Sequence, residues 1–221
     1  MEQTNRLFIG NRRYSSWSLR GWLAVKLAGL QVEEVVIAMA GGNTPAIKQL
    51  TPSGIVPYLE HEGARIWESL AICEYCAEFA PAMWPEDRVA RAAARSAASE
   101  MHAGFRGLRV AMPMNLGRAD LGGQGQNEES LADIARIEAL WGELRSRFGA
   151  GGPYLFGAQF GAVDAMFAPV VARFLAYAPP LSAGALAYCQ AVRAHPLLRE
   201  WYDAAAAEPA SWLIEKYEVA V

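Results

Sequence analysis

Leu7-Phe8-Ile9-Gly10-Asn11-Arg12-Arg13-Tyr14-Ser15-Ser16-Trp17-Ser18-Leu19-Arg20 passes from an apolar triplet through a polar turn into a helical pattern. Leu7-Phe8-Ile9 reads as a short strand. Leu19, Trp22, Leu23, Leu27 and Leu30 then fall on one face at helical spacing, with Gly29 where that helix should end. Val32 to Ile37 is apolar and β-branched, which predicts a second strand. Further out, Pro57-Tyr58-Leu59, the turn His61-Glu62-Gly63 and Arg65-Ile66-Trp67 read as an antiparallel hairpin, followed by a helix over Ser69 to Ala80. The order is β-α-β, a connection, then β-β-α.

Ala80-Pro81-Ala82-Met83-Trp84-Pro85 closes that unit, and everything beyond is alanine-rich and helical. Arg88 to Arg118 reads as one long helix kinked at Pro113. Gly122 to Asn127 is a glycine-rich loop. Leu131, Ile134, Ile137, Trp141, Leu144 and Phe148 mark an amphipathic helix, and Ala162 to Ala172 is apolar nearly all round, hence central. Two shorter helices follow, split at His195-Pro196. The fold class is therefore α/β plus all-α: residues 1–80 as the α/β unit, 81–87 as linker and 88–221 as a helical bundle.

Composition narrows the function classes. Hydrophobic residues make up 53% of the 221 positions and charged residues 19%, enough apolar content for a sizeable core. A formal charge of −3 and the lack of any Lys/Arg run argue against nucleic acid as a partner. Phe174 to Val192 carries no charge, but Pro179-Pro180 and Gly184 interrupt it, so no membrane span is expected. Glu2, Arg6, Arg12, Arg13 and Arg20 break up any apolar leader, and three cysteines suit a reducing, cytoplasmic compartment. Phosphate-loop, dinucleotide and serine-hydrolase motifs are missing, and the three histidines are too scattered for a metal site.

Cys73-Glu74-Tyr75-Cys76 has redox spacing but lies within a helix on its apolar face, which assigns it to packing. The place where a redox pair would sit, between first strand and first helix, holds Ser15-Ser16-Trp17-Ser18. Hydroxyls there can cap the helix or donate to an anion. Val56-Pro57 opens the third strand, where a cis bond would present the Val56 N–H and C=O to an extended peptide. Glu68-Ser69 stands at the next strand-to-helix junction, with a carboxylate for an ammonium and a helix start for a carboxylate. Such a receptor fits a γ-glutamyl tripeptide.

Taken in order, Ser15 to Arg20, Thr51-Pro52-Ser53-Gly54-Ile55-Val56-Pro57-Tyr58-Leu59, Trp67-Glu68-Ser69-Leu70-Ala71-Ile72 and Phe160-Gly161-Ala162-Val163-Asp164-Ala165 with Pro169 resemble the glutathione S-transferase family over nearly the whole chain. The serine motif is similar to that of the zeta and related serine classes. The resemblance implies a thioredoxin-like domain followed by a helical domain, a cytoplasmic homodimer, glutathione as co-substrate without metal, and attack of its thiolate on a small hydrophobic electrophile. It makes Ser15 the thiol donor, expected in an exposed loop. It assigns Ser16, Trp17, Ile55, Val56, Pro57, Glu68, Ser69 and Arg106 to glutathione, and Asp164 to helix initiation. His102, Arg109 and Met112 are candidates for the electrophile pocket.

The sequence departs from that pattern in three places. Trp17 stands where the maleylacetoacetate isomerases of the zeta class have Cys. Ile55 replaces the Lys or Gln that relatives set near the glycine end of glutathione. Arg12 and Arg13 add two cations beside the site. A glutathione-dependent isomerase and a non-catalytic interaction protein are the alternative functions.

Overall fold

The computed structural model describes residues 4–219. Four strands, β1 (Arg6–Gly10), β2 (Glu33–Ile37), β3 (Tyr58–His61) and β4 (Ala64–Trp67), form one sheet in the order β2-β1-β3-β4. β1 and β2 are parallel, with Phe8 opposite Val35, and α1 (Ser16–Leu27) makes the crossover between them. β3 pairs antiparallel with β1 and with β4. The tip of that last hairpin is Glu62-Gly63, both at positive φ. His61, expected in the turn, instead ends β3, buried, with Nδ1 3.0 Å from the Tyr75 hydroxyl.

The two faces of β1 explain its continuous apolar run. Leu7 and Ile9 join the main core together with residues of α1 and of α3 (Ser69–Phe79), while Phe8 joins Ile37, Ile47 and Tyr58 in a second cluster on the other face. Ile47 belongs to α2 (Pro45–Leu50), a helix absent from the sequence reading. It has six residues and buries only one, so periodicity had nothing to register.

The helical half comprises α4 (Arg88–Ala103), α5 (Arg106–Ala111), α6 (Glu128–Phe148), α7 (Ala162–Tyr177), α8 (Ala183–Ala194), α9 (Pro196–Ala206) and the short α10 (Glu215–Glu218). The expected continuous helix through Arg118 is broken earlier than Pro113. Gly104 is extended and Phe105 is left-handed at φ 56°, so α4 stops and α5 starts in a new direction. Pro113 lies beyond the end of α5. Fifteen of the sixteen α7 residues are buried, as its all-round apolar pattern requires. One hydrophobic core runs from Leu7 and Trp22 through Met166 and Phe167 to Trp201, so the sheet and the bundle share an interior.

Candidate active site at the first strand–helix turn

Ser15 is the N-cap of α1. Its Oγ accepts from the Ser18 N–H at 3.4 Å and donates to the Ser18 Oγ at 2.7 Å, which in turn accepts from the Gly10 N–H at 3.0 Å. Ser15 is only 5% exposed, which corrects the expectation of an exposed loop hydroxyl. Hydroxyl protons rotate, so the Ser15–Ser18 pair can reverse its donor and release the Ser15 O–H toward a ligand. Ser16 is half-buried and lines a cavity. Tyr14, one residue earlier, has its hydroxyl engaged with Glu218 and with the Ile214 N–H. Burial first, then the Glu218 hydrogen bond, push its pKa up to about 12, so it stays neutral.

A second cluster lies at the end of the hairpin. The Val56-Pro57 bond is cis, as expected. Pro57 packs on α1 where Gly21 leaves room, since a Cβ there would come within 2.7 Å of the Pro57 ring. Glu68 precedes α3 at φ 68°, a left-handed conformation that costs a non-glycine residue about 1 to 3 kcal/mol. Ser69 is fully buried and its Oγ has no hydrogen-bond partner among the described residues. Unpaired buried polar groups are rare, and this one sits beside the free N–H groups of a helix start. Ile55 is exposed and apolar, and offers no charge to a carboxylate.

His102, an electrophile-pocket candidate, sits between this cluster and Trp17. Its Nε2 is 3.5 Å from the Glu68 carboxylate and its ring meets Trp17 edge-on at 5.2 Å. Burial lowers the His102 pKa against the opposing pull of Glu68, so the ring is neutral at pH 7.

On the other side of Trp17 a cavity of about 410 Å³ is lined by Ser16, Trp17, Arg106, Arg109, Arg173 and Tyr217, among others. The guanidinium carbons of Arg20 and Arg109 lie 4.7 and 4.8 Å from the Trp17 ring centroid, so two cations contact the indole. Arg106 and Arg109 reach this wall together. Met112 does not: it is fully buried, and contributes its carbonyl, which accepts from Arg173 Nε at 2.8 Å. A larger cavity of about 680 Å³ lies between the linker and the start of α7, and shares no residue with the serine turn.

Arg173, Tyr14 and Tyr217 escaped the sequence reading. For Arg173 a clue existed: Asp164 and Arg173 are the only charges in α7. For Tyr217 there was none, because the segment after α9 returns to the β1–α1 turn from two hundred residues away, as the Ile214 N–H bond to Tyr14 records. Cys73, Cys76 and Cys189 are all buried, and burial pushes their thiols upward, that of Cys76 to about 12. They are packing residues, as expected. No group of His, Cys, Asp and Glu suited to a metal occurs among the described residues, and no helix there is long and apolar enough to cross a membrane.

Residues 14–78 match the N-terminal domain of glutathione S-transferase and residues 90–204 match its C-terminal domain. The chain belongs to the glutathione S-transferase family. A rice protein (Oryza sativa subsp. japonica), IN2-1 homolog A, is 29% identical over 181 residues, 78% of this chain and 69% of its own. A probable maleylacetoacetate isomerase of Caenorhabditis elegans is 28% identical over 145 residues, 63% of this chain and 67% of its own. A Burkholderia glutathione transferase homologue with bound glutathione superposes with TM-score 0.71 over 93% of this chain and 100% of that one, at 21% identity, and so supports the fold. A theta-class transferase from Xanthomonas axonopodis pv. citri, also with glutathione bound, superposes with TM-score 0.61 over 90% and 97%, at 26% identity.

Proposed function

We propose that the protein is a glutathione transferase in which the tripeptide lies along Val56 and the Glu68-Ser69 turn, and the Ser15 hydroxyl activates its thiol. The observation that carries this reading is the start of α3. A fully buried, unpaired Ser69 Oγ and free helix N–H groups can hold a carboxylate, and Glu68, held at φ 68°, can hold an ammonium beside it. An amino-acid end carries both groups. At Val56 neither the N–H nor the C=O has a hydrogen-bond partner among the described residues, which leaves the pair for a peptide backbone. The homologues from Burkholderia and Xanthomonas hold glutathione.

Glutathione supplies a thiol, whose ordinary pKa of about 8.5 leaves little thiolate at pH 7. Ser15 is a neutral donor and cannot take up the proton, which goes to solvent. Its O–H stabilises the thiolate, and the N-terminus of α1 adds partial positive charge. Lowering the pKa by about two units needs about 2.7 kcal/mol, the scale of one charge-assisted hydrogen bond plus a helix end. The sulfur–carbon bond then forms with the thiolate's lone pair, and the displaced pair leaves with the electrophile's leaving group.

The test has two parts. Calorimetry should show glutathione binding to the wild type and roughly tenfold weaker binding to Ser69→Ala. A pH–rate profile with 1-chloro-2,4-dinitrobenzene should show Ser15→Ala losing about 100-fold in kcat/KM, equivalent to about 2.7 kcal/mol, while Ser16→Ala loses far less. Loss in Ser16→Ala alone moves the donor one residue along. Unchanged profiles in both overturn serine activation, and no glutathione binding overturns the transferase reading.

A further inference from the structure

Four arginines surround Trp17 and the adjoining cavity, drawn from three helices. Arg20 comes from α1, Arg106 and Arg109 from α5, and Arg173 from α7. Among the described residues none of them has a carboxylate within 4.0 Å; Arg65, Arg88, Arg91, Arg145, Arg193 and Arg199 lack one too, but those six are not buried, whereas Arg20 and Arg173 are. Arg20 is 1% exposed, with Nε donating to the Met166 carbonyl at 2.9 Å and Nη1 buried without a partner. Arg173 is 5% exposed, with Nε and Nη1 donating to the carbonyls of Met112 and Pro169. Among the described residues its Nη2 makes no hydrogen bond, and Arg173 lines the cavity. Arg109 donates only to the carbonyls of His102 and Gly104, and Arg106 is exposed and unbonded. The nearby acid, Glu218, is taken up by Tyr14, Asn115 and Arg13.

Carbonyl dipoles satisfy individual N–H groups but leave the net charge. Burial and mutual repulsion lower the pKa of Arg20 to about 9 and of Arg173 to about 10, so both remain cationic at pH 7. Like charges crowded into a cleft are costly by themselves, and become favourable once a ligand brings the opposite charge. A guanidinium presents a planar fork that matches a carboxylate.

We infer that the second substrate is an anion, a small electrophile bearing a carboxylate held by Arg106, Arg109 and Arg173 in the cavity that Trp17 lines, rather than a purely apolar molecule. This inference rests on the transferase reading for the word substrate, while the anion site itself does not. The carboxylate takes no part in bond making. Its fixed position beside Ser16 sets the orientation of the reacting carbon toward the serine turn. Glutathione also carries carboxylates, so the same arginines could serve the tripeptide, and the test separates the two sources.

Binding of 3-nitrobenzoate and of its neutral analogue 3-nitrobenzamide is measured by calorimetry, with and without saturating glutathione. The wild type should bind the benzoate at least tenfold more tightly than the amide under both conditions. Arg106→Gln and Arg173→Gln should each remove most of that preference; the proposal moves Arg106, which the resemblance assigned to glutathione, to the second substrate, so both variants should weaken glutathione much less. Arg106 makes no hydrogen bond or ion pair among the described residues and is exposed, so its variant is expected to fold even if Arg173→Gln does not. Equal binding of benzoate and amide by the wild type overturns the proposal. So does a preference untouched in Arg106→Gln and in folded Arg173→Gln, or variants that lose glutathione in place of the benzoate. Benzoate binding without any glutathione binding would keep the anion site and sink the transferase instead.

Discussion

Trp17 shows how one residue type can redirect a site. In the zeta class this chain resembles, Cys stands there in the isomerases. Here the position is filled by an indole in contact with the guanidinium groups of Arg20 and Arg109, with the His102 ring at its edge. No thiol is left at that point of the turn, and the three surrounding side chains are arranged around a large ring. Maleylacetoacetate should therefore be isomerised poorly, despite the 28% identity to a probable isomerase. A turnover of roughly 10 per second in a direct assay would show that the Cys is dispensable. The types of Ser15 and Trp17 were plain in the sequence, but not their surroundings. Ser15 is buried because its Oγ caps α1 and bonds Ser18, so Ser15→Ala should also cost about 1 kcal/mol of stability.

Among the elements, α7 depends most on a single acid. Asp164 is fully buried; it accepts from the Gly161 N–H at 2.9 Å, the Leu155 N–H at 3.2 Å and the Tyr188 hydroxyl at 3.0 Å. Burial pushes its pKa from 3.8 up to about 6, against those hydrogen bonds. A carboxyl whose folded pKa is raised adds stability that is fully present below its unfolded pKa and is lost as pH rises through about 6. The stability gap between wild type and Asp164→Ala should thus be wider at pH 4.5 than at pH 7.5, by about 2 kcal/mol. Urea titrations at the two pH values would show it, and a gap that is flat or widens toward pH 7.5 contradicts the assignment. The sequence marked Asp164 as a helix-start acid correctly. It misplaced the break in the α4–α5 stretch, because a left-handed Phe105 has no local signature. The turn is supported from a distance, where the Asp133 carboxylate accepts the Leu108 N–H at 2.9 Å.

At the scale of the whole molecule, the sheet and bundle share one core, and the segment after α9 folds back over the serine turn. What the chain leaves exposed includes Trp67 at 50% exposure and Phe79 at 46%, on β4 and at the end of α3. Large exposed apolar side chains on one unit, together with the family resemblance, lead to the expectation of a homodimer. Sedimentation velocity at micromolar concentration should give the mass of two chains, and Trp67→Glu should shift it toward one. A stable monomer of the unaltered chain would overturn this.

The sequence by itself determined the four strands of the first eighty residues, α1 and α3 but not α2, the serine-bearing turn and the Glu68-Ser69 junction, because each of these is encoded within a few neighbouring positions. Apolar period, turn residues and helix-start hydroxyls act locally, so they can be read locally. Only the tertiary structure decided the character of the cavity. The chain as a whole carries a formal charge of −3, yet its cavity wall is cationic. Whether an arginine is neutralised depends on which carboxylate packing brings within about 4 Å. Arg13 finds Glu218 across two hundred positions, while Arg109 and Arg173, converging from α5 and α7, find only carbonyls.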